Sequence, residues 1–366
     1  MEITLPTKEL IRSLELANRI SAKHVTLPVL QCVLFEVVKD KITIRATNLE
    51  ISLTTTITGQ VTEIGVVAVP AQTLLQSLQF VNNDKVTLRE ESGVLLVELD
   101  RTNTSIKTIP HEEFPTFHDQ VGSGQVIKRD LFAFAIKSAV FAASISSIKP
   151  ELGCVYIQQK KEHALTFVAT DSFRLMEKTV PQKGVVLNQS FLIPQKNAQE
   201  IARICEALSD DPELFVSDNQ ISLRFQASGV LVTARLVAGS FPDYEQIIPK
   251  EYVATVVLLR QDLIRSFKKT SVFLNKYLQV SIALSKGAGL TVSAQNNDIG
   301  HVTDSIPATV SGEDLSLNFN QNYINDCLSH ISDDSLELKF AGVGRPLVIS
   351  GVSDKSLRYL VMPMNR

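Results

Sequence analysis

The sequence predicts an α+β protein made of one unit repeated three times, each unit with two helices packed on antiparallel sheets. Three observations carry this reading. First, TKELIRSL (7–14), KRDLFAFA (128–135) and RQDLIRSF (260–267) each follow a short extended stretch and open a helix-like pattern. Second, alternating strands end in ATNLEIS, ATDSFRL and AQNNDIG, whose first residues Ala46, Ala169 and Ala294 lie 123 and 125 positions apart. Third, a strand runs into a second helix at 67–80, 191–208 and 317–331, each time followed by two more alternating strands.

The elements follow in order. The first helices carry Glu9, Asp130 and Asp262 in their opening turns, where a carboxylate suits the helix dipole. The first and third share Leu-Ile-Arg-Ser outright. Strands such as LTFVATDSF and VTLREESGVLLVEL alternate apolar and polar residues, as antiparallel sheets with one wet face require. Strand, helix and strands run twice within each unit, so each unit reads as a doubled half. EEFPTF (112–117) and GSFPDY (239–244) are extended exits, because proline holds the residue before it extended. The expected domains are 1–120, 121–248 and 249–366.

Composition bounds the function. The chain has 366 residues, 44% hydrophobic and 20% charged, which excludes a disordered protein. Its formal net charge of −3 disfavours a large basic face but allows a locally basic lining. No run of about 18 apolar residues occurs and MEITLPTKEL lacks the features of a secretory signal, so no membrane partner and a cytoplasmic location are expected. Cys32, Cys154, Cys205 and Cys327 lie more than fifty positions apart and form no CxxC, which argues for buried, reduced thiols and against zinc. No phosphate-binding loop, nucleophile elbow or HExxH occurs, and the six histidines are scattered. Asp171 reads as an Asx-turn residue, and Asp210-Asp211 and Asp333-Asp334 as loop charge in equivalent places. Neither an enzyme nor a cofactor is expected.

If two chains close a ring with twelve helices lining it at roughly 8–10 Å spacing, the hole left after subtracting helix radii is roughly 20–27 Å wide, enough for a duplex. Basic residues lie on the helical segments: Arg12, Arg19 and Lys23 in or just after the first, Lys128, Arg129 and Lys137 near the third, Lys196 and Arg203 on the fourth, and Arg260, Arg265, Lys268 and Lys269 on the fifth. The helices at 71–80 and 322–331 carry none. Such a lining attracts phosphates without reading bases.

ATDSFRL, then GSFPDYEQIIP, then the terminal YLVMPMNR resemble the bacterial DNA polymerase III beta subunit family, the sliding clamps, and the similarity spans the whole chain. The resemblance implies three DNA-clamp domains forming half of a dimeric ring. It implies a head-to-tail homodimer around double-stranded DNA of any sequence, opened by an ATP-driven clamp loader and without catalysis or cofactor. Its partners, the replicative polymerase alpha subunit and other proteins with clamp-binding motifs, insert short peptides into a hydrophobic pocket. Carried onto this chain, the pocket is Leu152, Thr170, Ser172, Arg174, Leu175, Pro242, Ile247, Asn320, Tyr323, Val361, Met362, Pro363 and Met364. DNA-facing residues are Arg12, Lys23, His24, Lys149 and Lys196. At the dimer interface an edge strand at 104–109, with Thr104 and with Ile106 burying against the partner, faces a second edge strand at 271–274 with Val272 and Phe273. The family often has Gly-His where this chain has Ser172-Phe173, a basic residue where it has Glu245-Gln246, and a basic residue and leucine at the end where it has Asn365-Arg366. The competing readings are a repeat-built peptide-binding scaffold that does not encircle DNA, and an enzyme whose site forms between repeats.

Overall fold

The computed structural model describes residues 1–21, 27–39, 41–99, 102–116, 122, 124–146, 148–287 and 289–364. The first repeat begins with β1 (Glu2–Pro6) and α1 (Thr7–Ile20), continues through β2 (Cys32–Val38), β3 (Lys41–Thr47), β4 (Ile51–Ile57) and β5 (Gln60–Glu63), then restarts with β6 (Gly65–Pro70) and α2 (Ala71–Leu78) and ends in β7 (Lys85–Glu91), β8 (Val94–Glu98) and β9 (Asn103–Lys107). The second runs β10 (Gln125–Val126), α3 (Arg129–Val140), β11 (Cys154–Lys161), β12 (Ala164–Thr170), β13 (Arg174–Pro181), β14 (Phe191–Pro194), α4 (Gln195–Ala207), β15 (Glu213–Val216), β16 (Gln220–Phe225) and β17 (Val230–Arg235). The third runs β18 (Ala254–Leu259), α5 (Arg260–Thr270), β19 (Gln279–Ser285), β20 (Gly289–Asn296), β21 (Gly300–Ile306), β22 (Ala308–Gly312), β23 (Leu315–Asn320), α6 (Gln321–Leu328), β24 (Ser335–Phe340), β25 (Leu347–Gly351) and β26 (Leu357–Val361). Between β13 and β14 the described residues form no counterpart of β5 or β22; Pro181 ends the strand and Gly184 turns the chain at φ +81°.

Three of the helices start directly after a proline, whose fixed φ suits the last residue of a strand. Pro6, Pro70 and Pro194 hold that position before α1, α2 and α4. Apolar spacing then buries one face: Leu10, Leu14 and Ala17 on α1, Leu263, Phe267 and Thr270 on α5. At α6 the preceding side chain caps the start, Asn320 accepting from the Asn322 and Tyr323 amides, and at α3 Asp211 accepts from the Arg129 amide.

The doubled half is visible in the pairing. The first strand of each half crosses to the sheet of the other half: β1 pairs with β7 and β6 with β2, β10 with β15 and β14 with β11, β18 with β24 and β23 with β19. All are antiparallel. The repeat is equally legible in its turns. Asp210 accepts from the Ala227 and Ser228 amides of the β16–β17 turn, and Asp333, at the equivalent place, accepts from Ser353 and Asp354 between β25 and β26.

Sheets also join repeats. The last strand of one repeat pairs with the strand of its predecessor that follows the anchor segment: β17 with β4 (Thr233 opposite Ser52) and β26 with β13 (Leu360 opposite Leu175). Two sheets therefore span repeat boundaries, in the orders β10-β15-β16-β17-β4-β3-β2-β6 and β14-β11-β12-β13-β26-β25-β24-β18-β22. The remaining sheets are β5-β1-β7-β8-β9 and β21-β20-β19-β23. By their contacts the residues group into two compact units: Met1–Ala133 with Lys183–Val186 and Lys196–Leu236, and Phe134–Gln182 with Leu187–Gln195 and Val237–Arg366.

In the second unit the segment after β17 docks on the long sheet. Phe241 stacks on Tyr156 with ring centroids 4.7 Å apart, and Tyr244 joins Val168, Leu175, Val348 and Leu360 in one apolar cluster. The Tyr244 hydroxyl donates to the buried Glu177 carboxylate at 2.6 Å, and Lys160 bridges Glu177 and Glu245 at 2.7 and 2.8 Å. Burial works against the Glu177 charge, but the Lys160 ammonium and the Tyr244 hydroxyl outweigh it and hold the carboxyl below its ordinary value. A depressed carboxyl stabilises the fold above its unfolded pKa and loses that contribution as pH falls through the folded value. Glu177→Gln is therefore expected to cost about 1–3 kcal/mol at pH 7, less than a fully enclosed pair because Lys160 is partly exposed. The gap to the parent should close under acid conditions in urea unfolding followed against pH; a constant gap would show that Glu177 acts only through packing.

Candidate functional site

Of the predicted pocket residues, Thr170, Ser172 and Arg174 form the β12–β13 turn, and Tyr323 and the Met362 backbone reach it. Thr170 and Asp171 build that turn by bonding their own backbone. The Thr170 hydroxyl donates to the Arg174 carbonyl at 2.6 Å and accepts from the Ser172 amide at 3.2 Å. Asp171 Oδ1 accepts from the Phe173 and Arg174 amides, both at 3.0 Å. Sequence reading expected an Asx turn at Asp171, and this is one. Ser172 sits at φ +78°, the left-handed region, which this hydrogen bonding supports.

Arg174 is the hub. Its Nε donates to Asp171 at 3.0 Å, one terminal nitrogen donates to Asp326 of α6 at 2.6 Å, and the other to the Phe141 carbonyl after α3 at 3.0 Å. Its guanidinium lies 4.7 Å from the Tyr323 ring centroid and 5.6 Å from that of Phe141. Phe141 stacks on His330, with centroids 4.6 Å apart. Burial lowers the His330 imidazole below its ordinary pKa despite nearby Asp326, which favours the neutral, stacked ring. The chain end is tied to the same turn: the Met362 amide donates to the Phe173 carbonyl at 2.8 Å, the Met364 amide to Asn318 at 2.7 Å, and the Tyr359 hydroxyl to the Tyr323 carbonyl at 2.6 Å.

Of the predicted pocket set, Leu152, Thr170, Leu175 and Val361 are buried. Ser172, Pro242, Ile247 and Met362 are exposed, and Arg174, Asn320, Tyr323, Pro363 and Met364 are half-buried. The departure residue Phe173 is 61% exposed. Phe141, Asp326 and His330 were missed, because only tertiary packing brings them to Arg174.

The other predicted residues divide. Lys23 and His24 lie outside the described residues, as do Asn365 and Arg366. Arg12 is exposed but donates to the Ala207 carbonyl at the end of α4, at 3.3 Å. Lys149 and Lys196 are exposed. Several other helical cations are paired: Lys128 with Asp211, Arg203 with Glu200, Arg265 with Asp262, Lys269 with Asp304.

Two interface expectations are corrected. The expected edge strand at 271–274 is a 3-10 turn, Ser271–Phe273, continuing from α5, where the buried Thr270 hydroxyl is anchored to the Ser266 and Phe267 carbonyls and to Gln321. The neighbouring sheet, β21-β20-β19-β23, has β21 as one of its two edges, and Val272 is 61% exposed beside that edge, with Phe273 packed near Gly300. Ile106 is already buried within its own chain, on a strand that lies against α2, so it does not wait for a partner to cover it. Thr104 lies on β9, which is an edge as expected.

Nothing described resembles a catalytic centre. Burial raises the Cys32, Cys154 and Cys205 thiols to about 12 and Cys327 higher still, so none is a nucleophile. Among the described residues no cluster of His, Cys, Asp or Glu could hold a metal ion, and no helix is long and apolar enough to cross a membrane.

Three strand-exchanged repeats joined by sheets that cross their boundaries define the DNA-clamp class of fold. Family models for the DNA polymerase III beta subunit match residues 1–118 (N-terminal domain), 126–243 (central domain) and 245–365 (C-terminal domain), and the chain belongs to that family. The beta sliding clamp of Pseudomonas aeruginosa is 27% identical over 372 residues, covering 100% of both chains. A crystal structure of the DNA polymerase III subunit beta from Pseudomonas aeruginosa is 26% identical with a TM-score of 0.94, covering 100% of both chains. Another structure of the sliding clamp from that organism, bound to griselimycin, is 25% identical with a TM-score of 0.92 and the same coverage. The chain is a sliding clamp, a non-catalytic processivity factor of DNA polymerase III.

Removing the Arg174 fork strands two carboxylates and a carbonyl, so Arg174→Ala is expected to cost about 2–4 kcal/mol. Arg174→Lys should recover less than half of that, because an ammonium cannot reach all three acceptors at once. Urea midpoints at constant m-value measure both; a lysine variant as stable as the parent would refute the hub.

Proposed function

We propose that two copies close head to tail through β9 of one and β21 of the other, and that the ring so formed holds duplex DNA by enclosure. The observation that carries this is the pairing rule of the repeats. β17 pairs with β4 and β26 with β13; the same rule leaves β21 without a successor and β9 without a predecessor, and both are sheet edges. Exposed backbone on such an edge invites another strand. The rule supplies a register. In the ladders, Ser105 holds the place in the first repeat that Leu360 holds in the third (Leu96 opposite Ser105, Val348 opposite Leu360), and His301 holds the place of Leu175 (Gln295 opposite His301, Thr170 opposite Leu175). Ser105 of one chain then faces His301 of the other, and Thr104 faces Val302. Val272 and Ile299, 61% and 62% exposed, flank this edge and would be covered.

The domains on this reading are 1–120, 121–248 and 249–366, and the chain works in the cytoplasm. Arg12, Lys149 and Lys196, with Lys23 and His24, face phosphates, and a clamp loader opens the ring. The site around Ser172, Pro242, Ile247, Tyr323, Met362 and Met364 takes an extended peptide from the polymerase alpha subunit or another partner. Exposed methionine and proline around a rigid turn support this, since Met repacks around different apolar anchors.

Sedimentation should give twice the 40.3 kDa of one chain. The pair Ser105→Cys and His301→Cys should cross-link two chains on oxidation, and a monomer with no cross-link would end the ring reading. Protein loaded on nicked circles should stay bound and escape once they are linearised; equal retention on both would favour a scaffold that does not encircle DNA. Replacing Met362 and Met364 with Ala should weaken polymerase-peptide binding by about tenfold or more while leaving the dimer intact.

A further inference from the structure

The repeat places a second copy of the β12–β13 turn in the first unit, between β3 and β4, and the two match bond for bond. The Thr47 hydroxyl donates to the Ile51 carbonyl at 3.1 Å and accepts from the Leu49 amide at 3.0 Å, as Thr170 does with Arg174 and Ser172. Asn48 accepts from the Glu50 and Ile51 amides at 3.0 and 2.9 Å, as Asp171 does from Phe173 and Arg174. Leu49 sits at φ +75° and Ser172 at +78°. The Arg235 amide donates to the Glu50 carbonyl at 2.8 Å, the distance at which Met362 donates to Phe173. Pro115 of EEFPTF stands where Pro242 of GSFPDY stands. This turn opens on a cavity of about 330 Å³, lined among others by Leu49, Glu50, Pro115, Asn219, Gln220 and Arg235.

We propose that this cavity is a second peptide site, selective for an extended segment that carries an acidic side chain beside an apolar one. The inference rests on reading the equivalent turn of the second unit as a peptide site. Its selectivity differs because its residues differ. Arg235 replaces Met362, and Leu49 replaces Ser172. Among the described residues the exposed Arg235 guanidinium has no ion-pair partner, and it lines the cavity. Leu49, 39% exposed, and Pro115 form the apolar wall, and the Asn219 and Gln220 amides can bond a peptide backbone. A carboxylate on the guanidinium gives the charge-assisted contact that Met362 cannot make. Glu50 on the rim disfavours segments with several acidic residues.

The test uses the full-length protein and a fluorescein-labelled, acetylated and amidated pentapeptide, Ser-Leu-Glu-Leu-Ser. Stoichiometric titration should find two peptides per chain. Arg235→Glu should leave one and weaken the lost class by about tenfold or more, while Arg235→Lys keeps both. The Met362→Ala, Met364→Ala variant should also leave one, and the combined variant none. Two peptides still bound to Arg235→Glu, or a single peptide in the parent that the methionine changes abolish, would overturn the second site while sparing the first. A single peptide that survives the methionine changes and is lost with Arg235→Glu would instead overturn the first. The thermal midpoint of Arg235→Glu, expected to equal that of the parent because Arg235 is exposed, separates lost binding from lost fold.

Discussion

The structure depends on one constraint: a strand must satisfy its row of backbone donors and acceptors on both sides or leave them to solvent. Within a repeat, the constraint is met by exchanging first strands, so that β1 closes on β7 and β6 on β2. Neither half can complete its sheet without the other. Between repeats it is met by β17 against β4 and β26 against β13. β9 and β21 are among the strands left with one unpaired side, and they are the two that this pairing rule leaves without a partner repeat. The proposed closure therefore rests on backbone more than on any particular side chain.

The anchor segments show how one local device serves different ends. A threonine or its neighbour bonds its own backbone, a residue turns left-handed, and the next strand leaves in a set direction. In the second repeat that geometry presents Arg174 to Asp171, Asp326 and Phe141, fastening α3, β13 and α6 around one guanidinium. In the first repeat Ile51 holds the same place and is buried, so the turn carries no ionic hub. The first copy instead places charge on its rim, as Glu50 and Arg235. In the third, Asn296 accepts from the Asp298 amide at 3.0 Å and leads into the β21 edge. One place in the repeat thus carries an ionic hub, a charged rim or a sheet edge, according to its residues.

Much of this was legible in the sequence. The threefold repeat showed in spacings of 123 and 125 residues, and the helix starts showed in Leu-Ile-Arg-Ser and the first-turn acids, because both are local signals. The strand exchange was not legible, since alternation says which face of a strand is wet but not which strand lies beside it. Ile106 illustrates the limit: the alternation of NTSIK marks it as covered, yet whether its own helix or a second chain covers it is decided by tertiary packing. The 3-10 turn at Ser271–Phe273 went unseen because SVF carries β-branched and aromatic residues that suit a strand. At the candidate site Arg174 was identified through the resemblance, but its partner Asp326 lies 152 positions away with no motif linking them.

The joining of repeats by distant strands bears on how the chain is made. Thr55 on β4 pairs with Val230, 175 positions later. At ordinary bacterial synthesis speeds that interval is roughly 9–35 s. For that time the first module stands at the ribosome with a bare β4 edge, rich in threonine and isoleucine. A nascent chain in this condition is prone to pair with its neighbours on the same messenger. Slow translation through 58–229 lengthens that hazard, and a chaperone that shields strand edges shortens it.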